Sequence, residues 1–380
     1  MKNIYKKKNS FSNFKSLNKN IIFNKIKILE LVKNDIQKEK NLSKKNILNK
    51  IYEDLTIENV KNDNSFKLSP NVIAEINTLD DTQVSNYLFH RYRYEIFPDE
   101  KKIDNYPPYL QIEPTSICNY RCVFCYQTDN VFNKKSNNFM GHMSFDLFKE
   151  VIDQAENNIE FISLASRGEP LMCKDIEKML LYTQGKFLNL KINTNASLLT
   201  ESKAHAILQS GVKTLCFSAD AADKASYEKL RVNGKLDRIL KNIENFNKIK
   251  ETKYPNSRII TRVSGVKVNN NQNIDDMQNF WGKLVQQVAF VNYVPWENIY
   301  DSKKTDVPTP CSDLWRRMFV WWDGEINPCD VDYKSNLSLG KLFDSSIADI
   351  WNSQKYNILR ENHLNNKRKN VEPCNRCNVV

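Results

Sequence analysis

Apolar residues recur along this chain in two patterns, and their alternation predicts its central fold. Helical spacing occurs between apolar runs, as after Ser144, where the residue type of an N-cap precedes an apolar face. Strands alternating with helices predict a parallel sheet covered by helices, here an α/β fold in which six units form a partial (β/α)6 barrel over residues 105–300. The strand-like runs lie at 109–115, 159–166, 189–196, 214–220, 258–268 and 287–296.

The two ends of the chain follow other patterns. Residues 1–104 show helical apolar spacing in an Asn- and Lys-rich background, which predicts a helical N-terminal extension that is disordered before about residue 20. In residues 301–380, two strand-like runs flank Asp323-Gly324, a pair typical of a β-hairpin turn. Helical spacing then runs from about Ile347 to Leu364. We therefore expect a small third domain built from a hairpin and a helix.

The formal net charge of +11 is concentrated at the N-terminus. Residues 1–66 hold fifteen Lys, no Arg and seven acidic residues, or +8. Such a segment could contact RNA or an anionic membrane surface, but no RNA-binding motif with interleaved aromatics accompanies the charge, so a solvated helical extension is favoured. No apolar run approaches the roughly 18 residues that span a bilayer, and no secretory signal is evident. We expect a cytoplasmic protein with no membrane or nucleic-acid partner.

Nine cysteines without a secretory signal indicate metal or redox chemistry rather than disulfides. Cys173 and Cys216 have apolar neighbours and are expected to be buried and unreactive. The other seven form two groups, which we name by position. The N-terminal cysteine set is Cys118, Cys122 and Cys125, and the C-terminal cysteine set is Cys311, Cys329, Cys374 and Cys377.

The N-terminal cysteine set has the spacing Cys-x3-Cys-x2-Cys and follows the first strand of the predicted barrel, at the rim where barrel active sites form. A [4Fe-4S] cluster has four irons, and this set supplies only three thiolates. One iron would therefore keep an open position for another ligand. A zinc site is the alternative. It would need a fourth ligand, for which His142 is the only local residue.

The run Ile117 to Tyr126 resembles the signature of the radical S-adenosylmethionine (radical SAM) enzymes, in which SAM occupies the open iron. The resemblance implies a catalytic cluster on the N-terminal cysteine set. The segment Ser166-Arg167-Gly168-Glu169-Pro170 resembles the family's Gly-Gly-Glu-Pro motif, which implies that Glu169 contacts the SAM amino group, with Arg167 in place of the first Gly. By position in the family, further SAM contacts are implied for Gly168, Phe124, Asn195, Ser218, Asp220 and Arg231.

Four cysteines near the C-terminus could bind zinc. The stretch Asp323 to Cys329 and the spacing of the set instead resemble the shortened SPASM domain called twitch. That resemblance implies an auxiliary [4Fe-4S] cluster held by Cys311, Cys329, Cys374 and Cys377. A fully ligated cluster has no open iron, so its implied role is electron transfer. The implied cofactors are therefore SAM and two [4Fe-4S] clusters.

The family resemblance implies an oxidoreductase that reductively cleaves SAM to a 5′-deoxyadenosyl radical, which takes a hydrogen atom from the substrate. Twitch-bearing relatives include dehydrogenases, so we expect oxidation of a sugar-like or aminocyclitol alcohol to a carbonyl. A peptide-modifying enzyme with a leader-binding N-terminal region is one alternative, and an RNA-modifying enzyme is another. The expected partners are a small-molecule or peptide substrate and a reductant such as flavodoxin or ferredoxin. The residues considered for the base that takes the hydroxyl proton are Arg262, Trp296 and Glu297.

Overall fold

The computed structural model describes residues 4–6, 13–17, 23–57, 65–269 and 272–380. In this part of the chain, ten strands form one sheet and two short strands form another. The strands are β1 (Asn13–Ser16), β2 (Tyr109–Ile112), β3 (Arg121–Cys122), β4 (Phe161–Leu164), β5 (Asn189–Thr194), β6 (Val212–Ser218), β7 (Arg231–Val232), β8 (Ile260–Lys267), β9 (Gln287–Asn292), β10 (Arg317–Val320), β11 (Glu325–Asn327) and β12 (Gly340–Lys341).

The centre of the large sheet is the predicted parallel barrel. Strands β2, β4, β5, β6, β8 and β9 are neighbours in that order, and every pair among them is parallel. Each lies at or within a predicted run, except that β6 begins two residues earlier than expected. The outer face is apolar: Leu110, Ile162 and Leu190 are fully buried in the main core. The α/β fold with a partial barrel is therefore confirmed.

Helices cover that outer face, as the alternating pattern predicted. Ser144 caps the first of them through its Oγ, which accepts from the Leu147 N–H at 3.2 Å, and the predicted apolar face is buried. These helices are α6 (Phe145–Ala155), α7 (Ile176–Tyr182), α8 (Glu201–Gln209), α9 (Lys224–Leu230), α10 (Leu236–Lys253) and α11 (Ile274–Trp281).

The N-terminal extension is helical and closes the amino ends of the barrel strands. Its helices are α1 (Lys25–Lys38), α2 (Leu42–Thr56), α3 (Pro70–Ile76), α4 (Asp81–Glu95) and α5 (Phe97–Glu100). His90 on α4 stacks on Phe161, the first residue of β4, with ring centroids 3.7 Å apart. Arg93 donates to Glu160 at 2.9 Å just before that strand. No helix in the described ranges is both long enough and apolar enough to cross a bilayer.

The expectation of disorder before residue 20 is wrong for residues 13–16, which form β1. This strand pairs antiparallel with β9, with Phe14 opposite Ala289. A parallel barrel that is left open has an unpaired edge strand, and β1 satisfies the backbone groups of that edge. Its four residues are too short a run for the apolar pattern to reveal.

The C-terminal segment contains the predicted hairpin, formed by β10 and β11. It also joins the main sheet, because β10 pairs in parallel with β2 on the side away from β4. The predicted helix from Ile347 to Leu364 is two helices, α12 (Ile347–Trp351) and α13 (Gln354–Leu364). The break has a local cause, since Ser353 caps α13 by accepting from the Tyr356 N–H at 3.2 Å.

Candidate active site

The N-terminal cysteine set lies on the loop that follows β2. The short strand β3 holds this loop against β7, with Cys122 opposite Arg231. The Cys125 N–H donates to the Cys122 carbonyl at 3.0 Å in a tight turn. Backbone contacts therefore fix the loop at the carboxyl rim of the sheet.

Side-chain amides tie the same loop to the end of β5. Asn195 Nδ2 donates to Asn119 Oδ1 at 2.9 Å, and Asn119 Nδ2 donates to Ser197 Oγ at 2.8 Å. Asn195 Oδ1 in turn accepts from the Ser197 N–H at 2.9 Å. Asn195 therefore lies beside the N-terminal cysteine set. Its contact with the SAM ribose stays a prediction.

Burial raises the pKa of all three thiols in this set. The pKa of Cys118 rises to about 12, first because of desolvation and then because of the negative charge of Glu169. The pKa values of Cys122 and Cys125 rise for the same main reason, and ionised Cys122 would raise that of Cys125 further. Neighbouring buried thiols ionise readily only when a metal centre neutralises them, because metals bind the thiolate. The three residues fit the ligand set of an iron-sulfur cluster.

The loop Gly168-Glu169 packs directly on the cysteine loop. A Cβ at Gly168 would lie 2.3 Å from the Thr115 carbonyl oxygen, so only glycine fits there. The Glu169 N–H donates to the Ile117 carbonyl at 2.9 Å. The Glu169 carboxylate accepts from Thr194 Oγ1 at 2.6 Å and from the Asn195 N–H at 2.7 Å.

Burial raises the pKa of Glu169, although its hydrogen bonds act in the opposite direction. A buried carboxylate close to Cys118 is chemically suited to a cationic amine, which would offset its desolvation. The predicted contact of Glu169 with the SAM amino group is consistent with this position and stays a prediction.

Arg167, which replaces the first Gly of the family motif, has a defined structural role. Its Nε and Nη2 donate to the two carboxylate oxygens of Glu113 at 2.8 and 2.6 Å. Its Nη1 donates to the Tyr333 carbonyl at 2.9 Å, and its guanidinium lies 4.2 Å from the centre of the Trp321 ring. The sequence identified Arg167 only as a departure from the motif. The structure shows that it connects the barrel to the C-terminal segment.

The remaining predicted SAM contacts lie on the other side of the cysteine loop. Arg231 Nε forms an ion pair with Asp220 Oδ2 at 2.6 Å, and Arg231 Nη1 lies 3.8 Å from Cys122 Sγ. The Phe124 ring is 5.7 Å from the Arg231 guanidinium. Ser218 ends β6. The structure thus gathers Arg231, Asp220 and Phe124 near the N-terminal cysteine set, while the SAM-binding roles of these three and of Ser218 stay predictions.

The C-terminal cysteine set also converges. Desolvation raises the pKa values of Cys329 and Cys374 well above the usual range, and the charges of the neighbouring thiolates in the set raise them further. Buried Arg368 donates to the Cys374 and Cys377 carbonyls at 3.1 and 2.7 Å and so holds the closing turn. The described residues contain no group of three His, Cys, Asp or Glu side chains with the geometry to hold a single metal ion.

Three tyrosines connect the two cysteine sets, and we call them the tyrosine bridge. Tyr126, which follows Cys125, stacks on Tyr333 with ring centroids 4.7 Å apart. Tyr333 meets Tyr300 edge-on at 5.1 Å. Among the effects that raise the pKa of Tyr300 is the nearby charge of Cys329. The sequence did not reveal this bridge, because its members are far apart along the chain and follow no motif.

The three residues considered as bases have different surroundings. Arg262 is wrong for that role, because it is buried among Gln287 and Asn71 at the amino end of the barrel. Glu297 Oε2 and Trp296 Nε1 are buried and have no hydrogen-bond partner among the described residues. The same holds for Asp330 Oδ1, which the sequence did not single out.

Family models match both cysteine-bearing segments. The model described as the Radical SAM superfamily matches residues 112–280, and the SPASM model, described as an iron-sulfur cluster-binding domain, matches residues 311–378. The second description supports an iron-sulfur cluster over zinc in the C-terminal cysteine set.

Curated relatives differ in the reactions they perform. A GTP 3′,8-cyclase of Clostridium botulinum is 29% identical over 191 residues, which are 49% of this chain and 56% of that protein. The chain thus spans little more than half the length of this relative. An S-adenosyl-L-methionine-dependent 2-deoxy-scyllo-inosamine dehydrogenase of Niallia circulans is 22% identical over 276 residues, which are 71% of this chain and 92% of that protein.

Among solved structures, SuiB of Streptococcus suis bound to S-adenosylmethionine has a TM-score of 0.53 at 17% identity, with 73% of each chain covered. The same protein bound to its precursor peptide SuiA also has a TM-score of 0.53, at 16% identity, with 84% of this chain and 78% of that chain covered. Similarity at this identity shows a shared fold.

Proposed function

This chain belongs to the radical SAM superfamily and carries a C-terminal iron-sulfur cluster-binding domain, and from that premise we propose that it oxidises an alcohol to a carbonyl. The substrate class we propose is a sugar-like or aminocyclitol alcohol. The N-terminal cysteine set would hold the cluster that binds SAM, and the C-terminal cysteine set would hold an auxiliary [4Fe-4S] cluster.

The observation that carries this proposal is the tyrosine bridge between two cysteine sets that are each partly or fully buried. An alcohol carbon that has lost a hydrogen atom must still lose one proton and one electron to become a carbonyl. A second cluster close to the first can accept that electron. The dehydrogenase relative supports the same reaction type, since the match covers 92% of its length.

When bound, SAM and the clusters supply the redox chemistry, in which SAM and the alcohol give methionine, 5′-deoxyadenosine, the carbonyl compound and a proton. The protein contributes position and charge. Glu169 and Arg231 place one anionic and one cationic group beside the cysteine loop, which suits the amine and carboxylate of SAM. Arg167 and Glu113 hold the C-terminal segment over the rim of the barrel.

The hydroxyl proton needs an acceptor near the C-terminal cysteine set. Glu297 and Asp330 each have one buried carboxylate oxygen without a partner in the described part of the chain. Asp330 directly follows Cys329, and its charge also acts on Tyr126, so it lies near the tyrosine bridge. We therefore propose Asp330 or Glu297 as the proton acceptor.

Peptide modification is the second candidate. The fold similarity to SuiB, described with its precursor peptide SuiA, supports it. In that case the N-terminal helices would bind a leader peptide. The basic N-terminal segment remains the basis of the RNA-modifying alternative, which we do not propose because no contact or relative supports it.

An anaerobic assay for 5′-deoxyadenosine, combined with iron analysis, tests the proposal. Wild-type protein should hold about eight irons, and both Cys118→Ala and Cys311→Ala should hold about four. Cys118→Ala should release no 5′-deoxyadenosine, whereas Cys311→Ala should still cleave SAM but form no carbonyl product. About four irons in the wild type would contradict the two-cluster assignment.

The substrate class requires a second measurement. Aminocyclitols, sugars, synthetic peptides and GTP should be compared for 5′-deoxyadenosine formation at equal concentration. One carbonyl formed per 5′-deoxyadenosine, with an alcohol substrate only, supports the dehydrogenase. Turnover restricted to a peptide or to GTP would overturn it.

A further inference from the structure

The interior face of the barrel carries a row of polar side chains. In closed α/β barrels, by contrast, the interior is filled mainly by branched apolar residues. Gln111, Ser163, Lys191 and Thr214 lie in register on four neighbouring strands, β2, β4, β5 and β6. Residues on either side of them along the strands, such as Leu190 and Ile192, are fully buried against the helices. Because side chains alternate between the two faces of a strand, the polar row faces the interior.

Lys191 is the only charged member of this row. Its ammonium makes no ion pair or hydrogen bond with any residue in the described ranges. Lys191 is partly exposed although it lies on a central strand, and so is Asn193, two residues nearer the carboxyl end. Asn189, two residues in the other direction, is buried. The opening that reaches Lys191 therefore comes from the rim that carries the N-terminal cysteine set.

Two further polar atoms around Lys191 lack partners. Ser163, directly opposite Lys191, is 1% exposed, and its Oγ has no hydrogen-bond partner in the described part of the chain. Asn193 Oδ1 is also buried and unpartnered. The Asn193 amide can be turned to present Nδ2, since the two ends are assigned from hydrogen bonding. The group thus offers an ammonium, a hydroxyl and an amide to one ligand.

A cation inside a barrel without a counter-charge is unfavourable unless water or a ligand compensates it. Lys191 lies three residues from Thr194, so its Cα is about 10 Å below the end of the strand. A substrate whose reacting carbon lies at the rim could place another group at this depth.

We propose that Lys191, with Ser163 and Asn193, binds an anionic group of the substrate, a carboxylate or a phosphate. This inference rests on the proposed function, and it narrows the substrate class from a sugar-like or aminocyclitol alcohol to a sugar-like acid or a sugar phosphate. Lys191 is then a specificity-determining residue, and the oxidised carbon lies several bonds from the charged group.

The test measures anion binding by calorimetry to anaerobic, cluster-loaded protein with SAM present. Inorganic phosphate and acetate are the probes, and they distinguish the two kinds of anion. Lys191→Met should weaken binding of the preferred anion at least about tenfold, the loss expected for one charge-assisted hydrogen bond. Lys191→Arg should retain most of the binding, since it keeps the charge.

Lys224→Met is the matched control, because it removes an exposed lysine on α9 and should leave anion binding unchanged. Iron content equal to wild type would show that each variant is folded. Failure of the wild type to bind either anion at tens of millimolar, or equal binding by wild type and Lys191→Met, would overturn the inference. The calorimetric assay does not depend on turnover. If the anion binds through Lys191 but the turnover assay finds no carbonyl product, the proposed function is contradicted and the anion site is not.

Discussion

The ion pair between Arg167 and Glu113 gives the sharpest stability prediction. Their side chains are 2% and 0% exposed, so both charges are removed from water. Besides the two side-chain hydrogen bonds, the Arg167 N–H donates to Glu113 Oε2 at 3.0 Å. The perturbation is Arg167→Met, which keeps an unbranched apolar side chain and removes the charge.

The expected magnitude follows from what remains after the substitution. Glu113 would stay buried with its charge uncompensated, and the Tyr333 carbonyl would lose its donor. Breaking a buried pair by removing one partner costs about 3–5 kcal/mol. Glu113→Gln removes the stranded charge and still offers an amide oxygen to the backbone N–H of residue 167, so Arg167→Met combined with Glu113→Gln should recover most of the loss.

Urea unfolding of the anaerobic protein, followed by tryptophan fluorescence, measures this effect. Trp321 lies against the Arg167 guanidinium and reports on the same region. Lys224→Met breaks an exposed ion pair with Asp237 and should change the transition little. A loss below about 1 kcal/mol for Arg167→Met would refute the reasoning, because leaving the Glu113 carboxylate buried without its partner should cost more than that. A double variant no more stable than Arg167→Met would refute it equally.

Three further predictions concern the cysteine loop, the N-terminal interface and the sheet edge. Gly168→Ala should lose the N-terminal cluster and about half of the iron, because its Cβ would meet the Thr115 carbonyl. Gly185→Ala strains a left-handed backbone (φ 74°) but its Cβ meets no atom within 4 Å, so it should lose some stability and keep its iron; equal iron in both variants would contradict this. Burial lowers the pKa of His90 to about 4. In the unfolded chain the same imidazole keeps its ordinary pKa of about 6.5, so as the pH falls the unfolded state is protonated first. About 3 kcal/mol of the free energy of unfolding should therefore be lost between pH 6.5 and pH 4. Urea midpoints at both pH values should show that His90→Phe removes much of this loss, and an unchanged loss would argue against it. Lys15→Pro should remove the N–H of a hydrogen-bonded pair with Val288 and detach β1, leaving the edge of β9 unpaired. Size-exclusion chromatography should then detect self-association, and a monomer at all concentrations would contradict this.

Much of the fold followed from local patterns. The six barrel strands were predictable because buried parallel strands are continuous apolar runs, and α6 was predictable because its cap and its buried face are both encoded locally. Strand β1 was not, because its pairing with β9 depends on an edge that exists only once the barrel has formed. The break between α12 and α13 was missed because Ser353 interrupts otherwise continuous helical spacing.

Within the site, residue spacing along the sequence predicted the groups that would hold cofactors. It did not predict the groups that connect them, which are Arg167 and the tyrosine bridge. The N-terminal cysteine set and Gly168-Glu169 are short motifs with a chemical reason for each residue, and the dispersed C-terminal set ends in the short pair Cys374 and Cys377. Arg262 was misplaced because no local pattern indicates that α3 covers the amino end of β8, where Asn71 accepts from Arg262. Lys191 was missed because it interrupts an apolar run by a single residue, which in a sequence resembles ordinary strand alternation.

The position of β10 bears on how the two cysteine sets are held. A separate domain would connect to the barrel through a polar interface and could move relative to it. Here β10 extends the barrel sheet beside β2, and Arg167 binds both Glu113 at the end of β2 and the Tyr333 carbonyl. Tyr333 belongs to the tyrosine bridge, so the residue that replaces a motif glycine also holds the aromatic contact between the sets. The separation of the two sets is therefore determined by hydrogen bonds of the sheet and by one buried ion pair, so the substrate of the proposed reaction would meet both sets at fixed positions.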